Sequence, residues 1–431
     1  MSSGRQRADR SRTWPRDLGG DQVSRGRPFR TLVSLEEALE RVLSRVGPVD
    51  RTETVPIDEA LDRVLAQDIE ATMDVPGFDR SAMDGYAVRA EDTYGATDME
   101  PLMLRPIGTV HAGEVPSGVV GKGECMYVAT GAMRPEGADS VVMVEYTEEV
   151  DSGTGTGTMI RRAVHPGENV SRRDADIKEG TVPLRAGARL GASRLGTAAA
   201  LGVLELEVYA RPVVAIAGTG NEVRPLGEEL GPGQVYDINT HTISAAVRGL
   251  GGTALVLGLV GDSHEALTQA LDKALGMADL AVFTGGSSVG ERDLLVDVFG
   301  ERGEVLFHGV QVKPGKPVLA VDCGGKVAFG LPGYPTSCLS SGMLFLEPVL
   351  AKMGRRPQAT PVAVEARLGR RVVSTIGRTQ FLTVRLEDGT AHPAFKESGA
   401  ITSMAEADGY VIIPSNVDLV DRGEQVEVHL L

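Results

Sequence analysis

Three segments punctuated by glycine and proline carry residue types able to do chemistry: Thr284-Gly-Gly-Ser-Ser-Val-Gly-Glu-Arg-Asp293, Lys313-Pro-Gly-Lys-Pro317 and Gly330-Leu-Pro-Gly-Tyr-Pro-Thr-Ser337. Each adjoins an apolar run. Glycines at Gly285, Gly286 and Gly290 allow backbone N–H groups to approach a ligand closely, and a helix start behind them adds a positive dipole end. With Ser287 in the same loop and full charges at Lys313 and Lys316, the pattern describes a crevice for phosphate or another oxyanion. Asp262 ends an apolar strand and Asp293 follows the glycine loop, so both are placed at one rim of the same sheet. Two carboxylates beside a phosphate suit a divalent cation, which takes one or two carboxylates plus ligand oxygens. Each could equally cap a helix.

The elements that must position these residues begin at Arg211-Pro212. Apolar strands at Val213–Ala217, Ala254–Val260 and Leu280–Thr284 alternate with helical patterns near Thr240–Leu250, Ser263–Leu275 and after Glu291. The array continues through Pro317–Val321 and Val327–Gly330 into a helix at Thr336–Met353. This is a central, mostly parallel three-layer α/β domain, assigned to 210–353, whose ligands sit beyond the carboxyl ends of the strands. Gly218-Thr-Gly-Asn-Glu-Val223 superficially matches a dinucleotide fingerprint, but its third glycine position is Val223. Pro225 and Pro232 would interrupt the receiving helix, so a nicotinamide or flavin dinucleotide is excluded.

Outside this domain the pattern changes. Ser34, with Glu37 three residues on and Leu35, Leu39, Val42 and Leu43 on a helical period, predicts a capped amphipathic helix. A second helix is expected at Ile57–Ala66, and strands and turns through Asn169–Leu206. These belong to a discontinuous elongated linking domain, 31–72 and 163–209. Between them, 73–162 reads as a small β-rich second domain, in which Asp151-Ser-Gly-Thr-Gly-Thr-Gly-Thr reads as a hairpin tip. The segment 354–431 reads as a C-terminal β-barrel-like domain. The whole is a multidomain α/β plus β chain with an elongated subunit.

Bulk properties set limits. At 431 residues with 42% hydrophobic content, several domains with real cores are expected. A formal net charge of −15 argues against nucleic acid as a partner. The basic run within 1–30 lacks apolar periodicity and reads as a disordered tail. No apolar stretch approaches the ~20 residues of a membrane span, and the N-terminus has no signal-peptide pattern. The three cysteines, Cys125, Cys323 and Cys338, are unpaired by spacing. No membrane association and a cytoplasmic location are therefore expected. A catalytic thiol is disfavoured because no His stands in a partner motif.

Six motifs occur in order: Phe78-Asp-Arg-Ser-Ala-Met-Asp-Gly-Tyr-Ala-Val88, Thr130-Gly-Ala with Gly137-Ala-Asp-Ser-Val-Val142, Val235-Tyr-Asp-Ile-Asn239, and the three anion-loop segments. In this order, over about Leu32–Leu431, the chain resembles the molybdopterin molybdenumtransferase family, which includes MoeA and the gephyrin E domain. The resemblance implies an enzyme of molybdenum cofactor biosynthesis. It would act on adenylylated molybdopterin and molybdate, or tungstate, with Mg²⁺ or another divalent cation, and release AMP. It implies a homodimer whose active cleft lies between subunits, and an upstream molybdopterin adenylyltransferase as a partner.

Carried over residue by residue, the family's catalytic positions fall on Asp84, Asp262, Asp293, Lys313 and Lys316, with Asp262 and Asp293 on the metal. Its substrate-binding positions fall on Thr130, Asp176, the glycine loop, Pro332, Pro335, and Ser398 or Ser403. Departures stand at Tyr334 for an Asn, Asn221 for an Asp, Arg80 for an Asn, Ser287 for a Val, and Arg194 where a functional Glu is expected. Two alternatives stand beside the transferase: a non-catalytic molybdopterin-binding scaffold of the gephyrin type, and a molybdopterin adenylyltransferase.

Overall fold

A computed structural model of the chain describes residues 32–151, 156–285, 294–357, 362–394 and 399–431. Gly286, Ser287, Gly290, Asp293 and Ser398 lie outside the described residues, as do the basic run and the centre of the Ser-Gly-Thr tract. The chain divides into two compact units. One is Pro48–Arg211 with Gly354–Pro357; the other comprises the described residues of Met1–Gly47, Pro212–Met353 and Gln358–Leu431.

The second of these is built on a six-stranded sheet. Its order is Thr253–Val260, Val213–Thr219, Leu280–Thr284, Val327–Leu331, Leu319–Asp322, Glu304–His308. The first three pairings are parallel. The last two are antiparallel, so the expected parallel array ends at Val327–Leu331. The reason is the short connection after Asp322. Cys323–Lys326 turns through Gly324 and Gly325 at φ 72° and 92°, and so few residues can close a hairpin but cannot make the long crossover that parallel neighbours need.

Helices cover both faces of this sheet. His264–Met277 and Leu294–Arg302 pack Leu267, Leu271, Leu295 and Phe299 against Ala215, Ala217 and Phe283. Phe283 and Phe299 meet edge to face at 5.2 Å. The other face carries Asn239–Gly249 and Pro335–Met353, which also pack on each other. A Cβ at Gly342 would stand 2.6 Å from Ile243 Cδ1, so the missing side chain sets how closely those two helices approach. The Leu35–Leu43 helix forms as expected: Ser34 Oγ accepts the Glu37 N–H at 3.1 Å, and Leu35, Ala38 and Val42 are buried.

In the same unit, five strands close into a barrel: Thr379–Glu387, Thr390–Pro393, Ala363–Leu368, Gln425–Leu430 and Gly409–Ile413, the last returning to the first. Leu368, Val384, Ala391 and Val428 fill it. Val312–Lys313 adds itself in parallel to Thr379–Gln380, which fastens the lysine loop to the barrel wall.

The Pro48–Arg211 unit holds a six-stranded sheet ordered Ser140–Met143, Gly85–Val88, Glu124–Val128, Leu102–Val110, Thr156–Ile160, Thr147–Asp151. The chain enters and leaves through an antiparallel pair that sets Thr52 opposite Tyr209. Asp151 pairs with Thr156, so described residues on either side of the Ser-Gly-Thr tract face each other as hairpin arms.

Two expectations fail in this unit. The predicted Ile57–Ala66 helix is a three-residue 3₁₀ turn, Ile57–Glu59, followed by Asp62 at φ 63°. Val64 and Leu65 then bridge Arg189 and Val208, and Leu65 is buried with Val55, Leu190 and Val208. Partners more than a hundred residues away override local propensity. Conversely, Ala192–Ala200 is a helix where strands and turns were expected. Its run of alanines favours that state, although only Ala198 is fully buried.

Gly85 fixes the register of this sheet. A Cβ there would lie 2.0 Å from the Val142 carbonyl oxygen on the neighbouring strand. Gly85→Ala is expected to cost at least about 3 kcal/mol, because neither strand can retreat without breaking its pairing. Urea unfolding followed by circular dichroism, with limited proteolysis of the Pro48–Arg211 region, measures it; an unchanged midpoint would contradict this.

Candidate active site

A cavity of about 800 Å³ opens at the carboxyl ends of Val213–Thr219 and Leu280–Thr284. It is lined by Gly218–Gly220, Val235–Asn239, Asp262, Thr284–Gly285 and Pro332–Pro335, with Pro317 and Gly399 at its edge. Two adjacent parallel strands end here at the carboxyl edge of the sheet, beyond which open α/β sheets make ligand crevices. The volume falls within the ~300–1,000 Å³ typical of small-molecule sites.

Glycine is required at the floor. Gly285 has φ 95°, and its Cβ would stand 2.5 Å from Thr219 O and 2.9 Å from Thr219 Oγ1. At Gly218 a Cβ would meet Leu259 Cδ2 at 2.6 Å and Thr240 Cγ2 at 3.0 Å. Glycine at both positions therefore lets the strand ends and their covering side chains pack closely beneath the cavity. The proline loop backs onto it: Gly285 N–H donates to Leu331 O at 3.1 Å, and a Cβ on Gly333 would touch Gly285 Cα at 3.5 Å.

Acidic side chains occupy the walls. Asp262 Oδ2 accepts the Asn221 N–H at 3.1 Å. The following helix is capped by Ser263, whose side chain accepts the Ala266 N–H, so Asp262 ties two loops together instead of capping. Asp237 is only 8% exposed. Its carboxylate accepts the Thr240 N–H at 3.1 Å and the Thr240 hydroxyl. Asn239 Nδ2 donates to Gly333 O at 2.8 Å, pinning the proline loop to the start of the Asn239–Gly249 helix.

The structure thus brings Asp262, Gly285, Pro332 and Pro335 to one cavity. Lys313 is held in its short strand, with Nζ donating to Thr375 Oγ1 at 3.2 Å. The Lys316 carbonyl accepts the N–H groups of Val310 and Val318, and its neighbour Pro317 reaches the cavity lining. Ser403 is not at the surface of the cavity: it is fully buried, and its hydroxyl donates to Ala400 O at 2.9 Å. Asp237 and Asn239 line the site, whereas the sequence marked them only within the Val235–Asn239 motif and gave neither a role. Their signal was an acid and an amide just before a helix on the carboxyl edge of the sheet, with Thr240 three residues after Asp237.

Asp84, Thr130 and Asp176 belong to the Pro48–Arg211 unit. Asp84 Oδ1 accepts both the Thr130 N–H at 2.6 Å and the Thr130 hydroxyl at 2.9 Å. Those two donors, the backbone one first, hold the Asp84 carboxyl below the usual carboxylate range. Asp176 is exposed, with its N–H on Val75 O at 3.0 Å. Arg194 is exposed on the Ala192–Ala200 helix and donates to Arg189 O at 2.6 Å. Arg80 lies in a two-residue strand paired with Val170–Ser171.

Thr130→Val keeps the backbone donor and removes the hydroxyl, so the Asp84 pKa is expected to rise toward its ordinary value. A carboxyl ¹³C NMR titration reads this directly; no movement would show that the hydroxyl does not hold the charge. Because the folded pKa is depressed, the interaction stabilises above the unfolded pKa and is lost as pH falls through the folded one.

Burial pushes Cys125 and Cys323 up to about 11 and Cys338 further still, so each remains protonated at neutral pH. Among the described residues, no group of three or more His, Cys, Asp or Glu converges as a metal cluster. No described helix is long and apolar enough to cross a membrane.

Known proteins match along nearly all of the chain. Residues 33–202 match the MoeA N-terminal region, domains I and II. Residues 215–352 match a probable molybdopterin-binding domain, and 365–431 match the MoeA C-terminal region, domain IV. A putative molybdopterin biosynthesis protein of Methanocaldococcus jannaschii is 35% identical over 88% of this chain and 92% of its own. A molybdopterin molybdenumtransferase of Bacillus subtilis is 31% identical over 93% and 95%. The crystal structure of a molybdopterin biosynthesis MoeA protein of Pyrococcus horikoshii OT3 is 32% identical, with a TM-score of 0.80 over 93% of this chain and all of that one. With three consecutive regions matched in order and relatives above 30% identity over 88% and 93% of its length, the chain belongs to the MoeA family.

Proposed function

We propose that this protein is a molybdopterin molybdenumtransferase, inserting molybdenum from molybdate, or tungsten from tungstate, into adenylylated molybdopterin with release of AMP. The observation that carries this is the glycine-floored cavity at the carboxyl edge of the sheet, walled by Asp237 and Asp262, in a chain of the MoeA family. The name of the Bacillus subtilis relative supports the same reaction.

Breaking a phosphoanhydride while an oxyanion is transferred calls for positioning and charge neutralisation more than for a nucleophilic side chain. The bare backbone at Gly285 lets the phosphate chain lie close, and Lys313 and Lys316 supply positive charge from the barrel side. Asp262, with Asp293, would hold a divalent cation. Asp262 at the cavity wall, with no metal-holding group of three or more His, Cys, Asp or Glu among the described residues, fits Mg²⁺, which completes its shell with phosphate oxygens and water. Bound there, it would neutralise charge on the phosphates. The glycine loop with Gly286, Ser287 and Gly290, the prolines Pro332 and Pro335, and Ser398 or Ser403 belong to the substrate side.

The proposal extends to assembly. The subunit is divided into linking (31–72, 163–209), β-rich (73–162), α/β (210–353) and barrel (354–431) domains. Asp84, Thr130 and Asp176 of one subunit complete the cleft of its partner in a homodimer in the cytoplasm, which receives substrate from a molybdopterin adenylyltransferase.

The test is AMP release by the purified chain from adenylylated molybdopterin after chelation, then with Mg²⁺ restored, and with molybdate or tungstate added. Release that needs both cation and oxyanion is expected. Tight pterin binding without release would favour the scaffold, and AMP transfer from ATP to molybdopterin would favour the adenylyltransferase.

A further inference from the structure

The cavity has two chemically different ends. Toward the sheet lie the buried Thr219 and Thr284 and the glycine backbone; toward the mouth lie Val235, Tyr236, Ile238 and Tyr334. Those four mouth residues are all exposed large hydrophobics, and Tyr334 is the most open of them at 67%. Tyr236 is 40% exposed and anchored, its hydroxyl donating to Glu228 O at 2.8 Å. Tyr334, by contrast, makes no side-chain hydrogen bond and no aromatic or cation contact among the described residues. Its ring lies close to Gly399, where a Cβ would stand 3.7 Å from Tyr334 Cδ1.

The base of Tyr334 is nevertheless fixed. Its carbonyl accepts the Cys338 N–H at 2.8 Å as the Pro335–Met353 helix begins, and Asn239 grips the preceding Gly333 carbonyl. An aromatic ring on a rigid stem, turned to the mouth of a cavity whose floor suits phosphate, matches a ligand with phosphate at one end and a flat ring at the other. Such a ring gains from stacking on tyrosine whatever its hydrogen-bonding pattern.

We propose that Tyr334 is a binding residue that stacks on the adenine ring of the adenylylated substrate and of the departing AMP. The inference rests on the reading of the cavity as the transferase site and adds the residue that holds the nucleotide end. It also gives a use to the tyrosine that stands in this proline loop.

Calorimetric titration of the full-length protein and its Tyr334→Ala and Tyr334→Phe variants with AMP, ribose 5-phosphate and a pterin monophosphate tests it. Tyr334→Ala is expected to weaken AMP about tenfold, and Tyr334→Phe to stay within about twofold of the parent. Ribose 5-phosphate, which lacks the ring, should bind both variants as it binds the parent. Unchanged AMP affinity in Tyr334→Ala overturns the proposal, as does an equal loss for ribose 5-phosphate, or a loss confined to the pterin. AMP release by the parent protein is measured in parallel. If release is normal while Tyr334→Ala binds AMP like the parent, only the stacking fails; if the parent neither binds nor releases AMP, the transferase reading fails with it.

Discussion

Asp262→Asn is expected to leave the fold intact and to slow AMP release about 100-fold at saturating substrate, the scale on which a single transition-state charge contact acts. The substitution is informative because it separates two jobs. The amide oxygen of Asn can still accept the Asn221 N–H that Asp262 Oδ2 holds at 3.1 Å, so the two loops stay joined. Only the negative charge at the cavity wall is lost. If that charge holds the cation, the defect should shrink as Mg²⁺ is raised, because weaker binding is overcome by mass action. Circular dichroism and the rate as a function of Mg²⁺ read both effects. A normal rate at limiting Mg²⁺ would remove Asp262 from the metal.

Gly285→Ala should harm both stability and turnover. A residue with a side chain at φ 95° is strained, and the added Cβ would lie 2.5 Å from Thr219 O on the adjacent strand. Relief requires the strand ends to separate, which breaks the Gly285–Leu331 hydrogen bond and moves the proline loop packed behind it. A loss of about 3 kcal/mol follows from strain plus overpacking. AMP release should fall about 100-fold or more, since a displacement near 1 Å in a positioning surface has that cost. Thermal unfolding and steady-state rates check the pair; a variant with parental melting temperature and rate would show that the floor of the cavity is not where the backbone places it.

The parts of the fold that were legible in the sequence are those whose signal is local. Leu280–Phe283 is apolar at every position because both faces of its sheet are covered, and the strand is buried through Thr284. Ser34 and Glu37 announced the first helix, and strand–helix alternation the one at His264–Met277, although its cap proves to be Ser263 and not Asp262. What could not be read locally was decided by distant partners. Leu65 follows a helix-like pattern but is extended because Val208 pairs with it. Leu319–Asp322 runs antiparallel because of a four-residue connection whose length, more than its composition, decides direction.

The site divides in the same way. Glycine and proline spacing located the cavity, since those residues are needed wherever backbone must turn sharply or come close to a ligand. Asp237 stood within the Val235–Asn239 motif without a role, because its carboxylate serves Thr240, a contact with no long-range signature. Ser403 fitted the resemblance by position, yet its hydroxyl is spent on Ala400 O inside the protein. Asp84 and Thr130 were marked separately by their motifs; that one carboxylate oxygen takes both Thr130 donors is visible only in the fold.

The central claim is most directly tested by incubating the purified protein with adenylylated molybdopterin, Mg²⁺ and molybdate, and quantifying AMP and metal-bearing pterin in the same samples. The account predicts that AMP appears only when the oxyanion is present and in step with metal bound to the pterin. Retention of intact adenylylated molybdopterin on the protein, with no AMP formed at any oxyanion concentration, would contradict it.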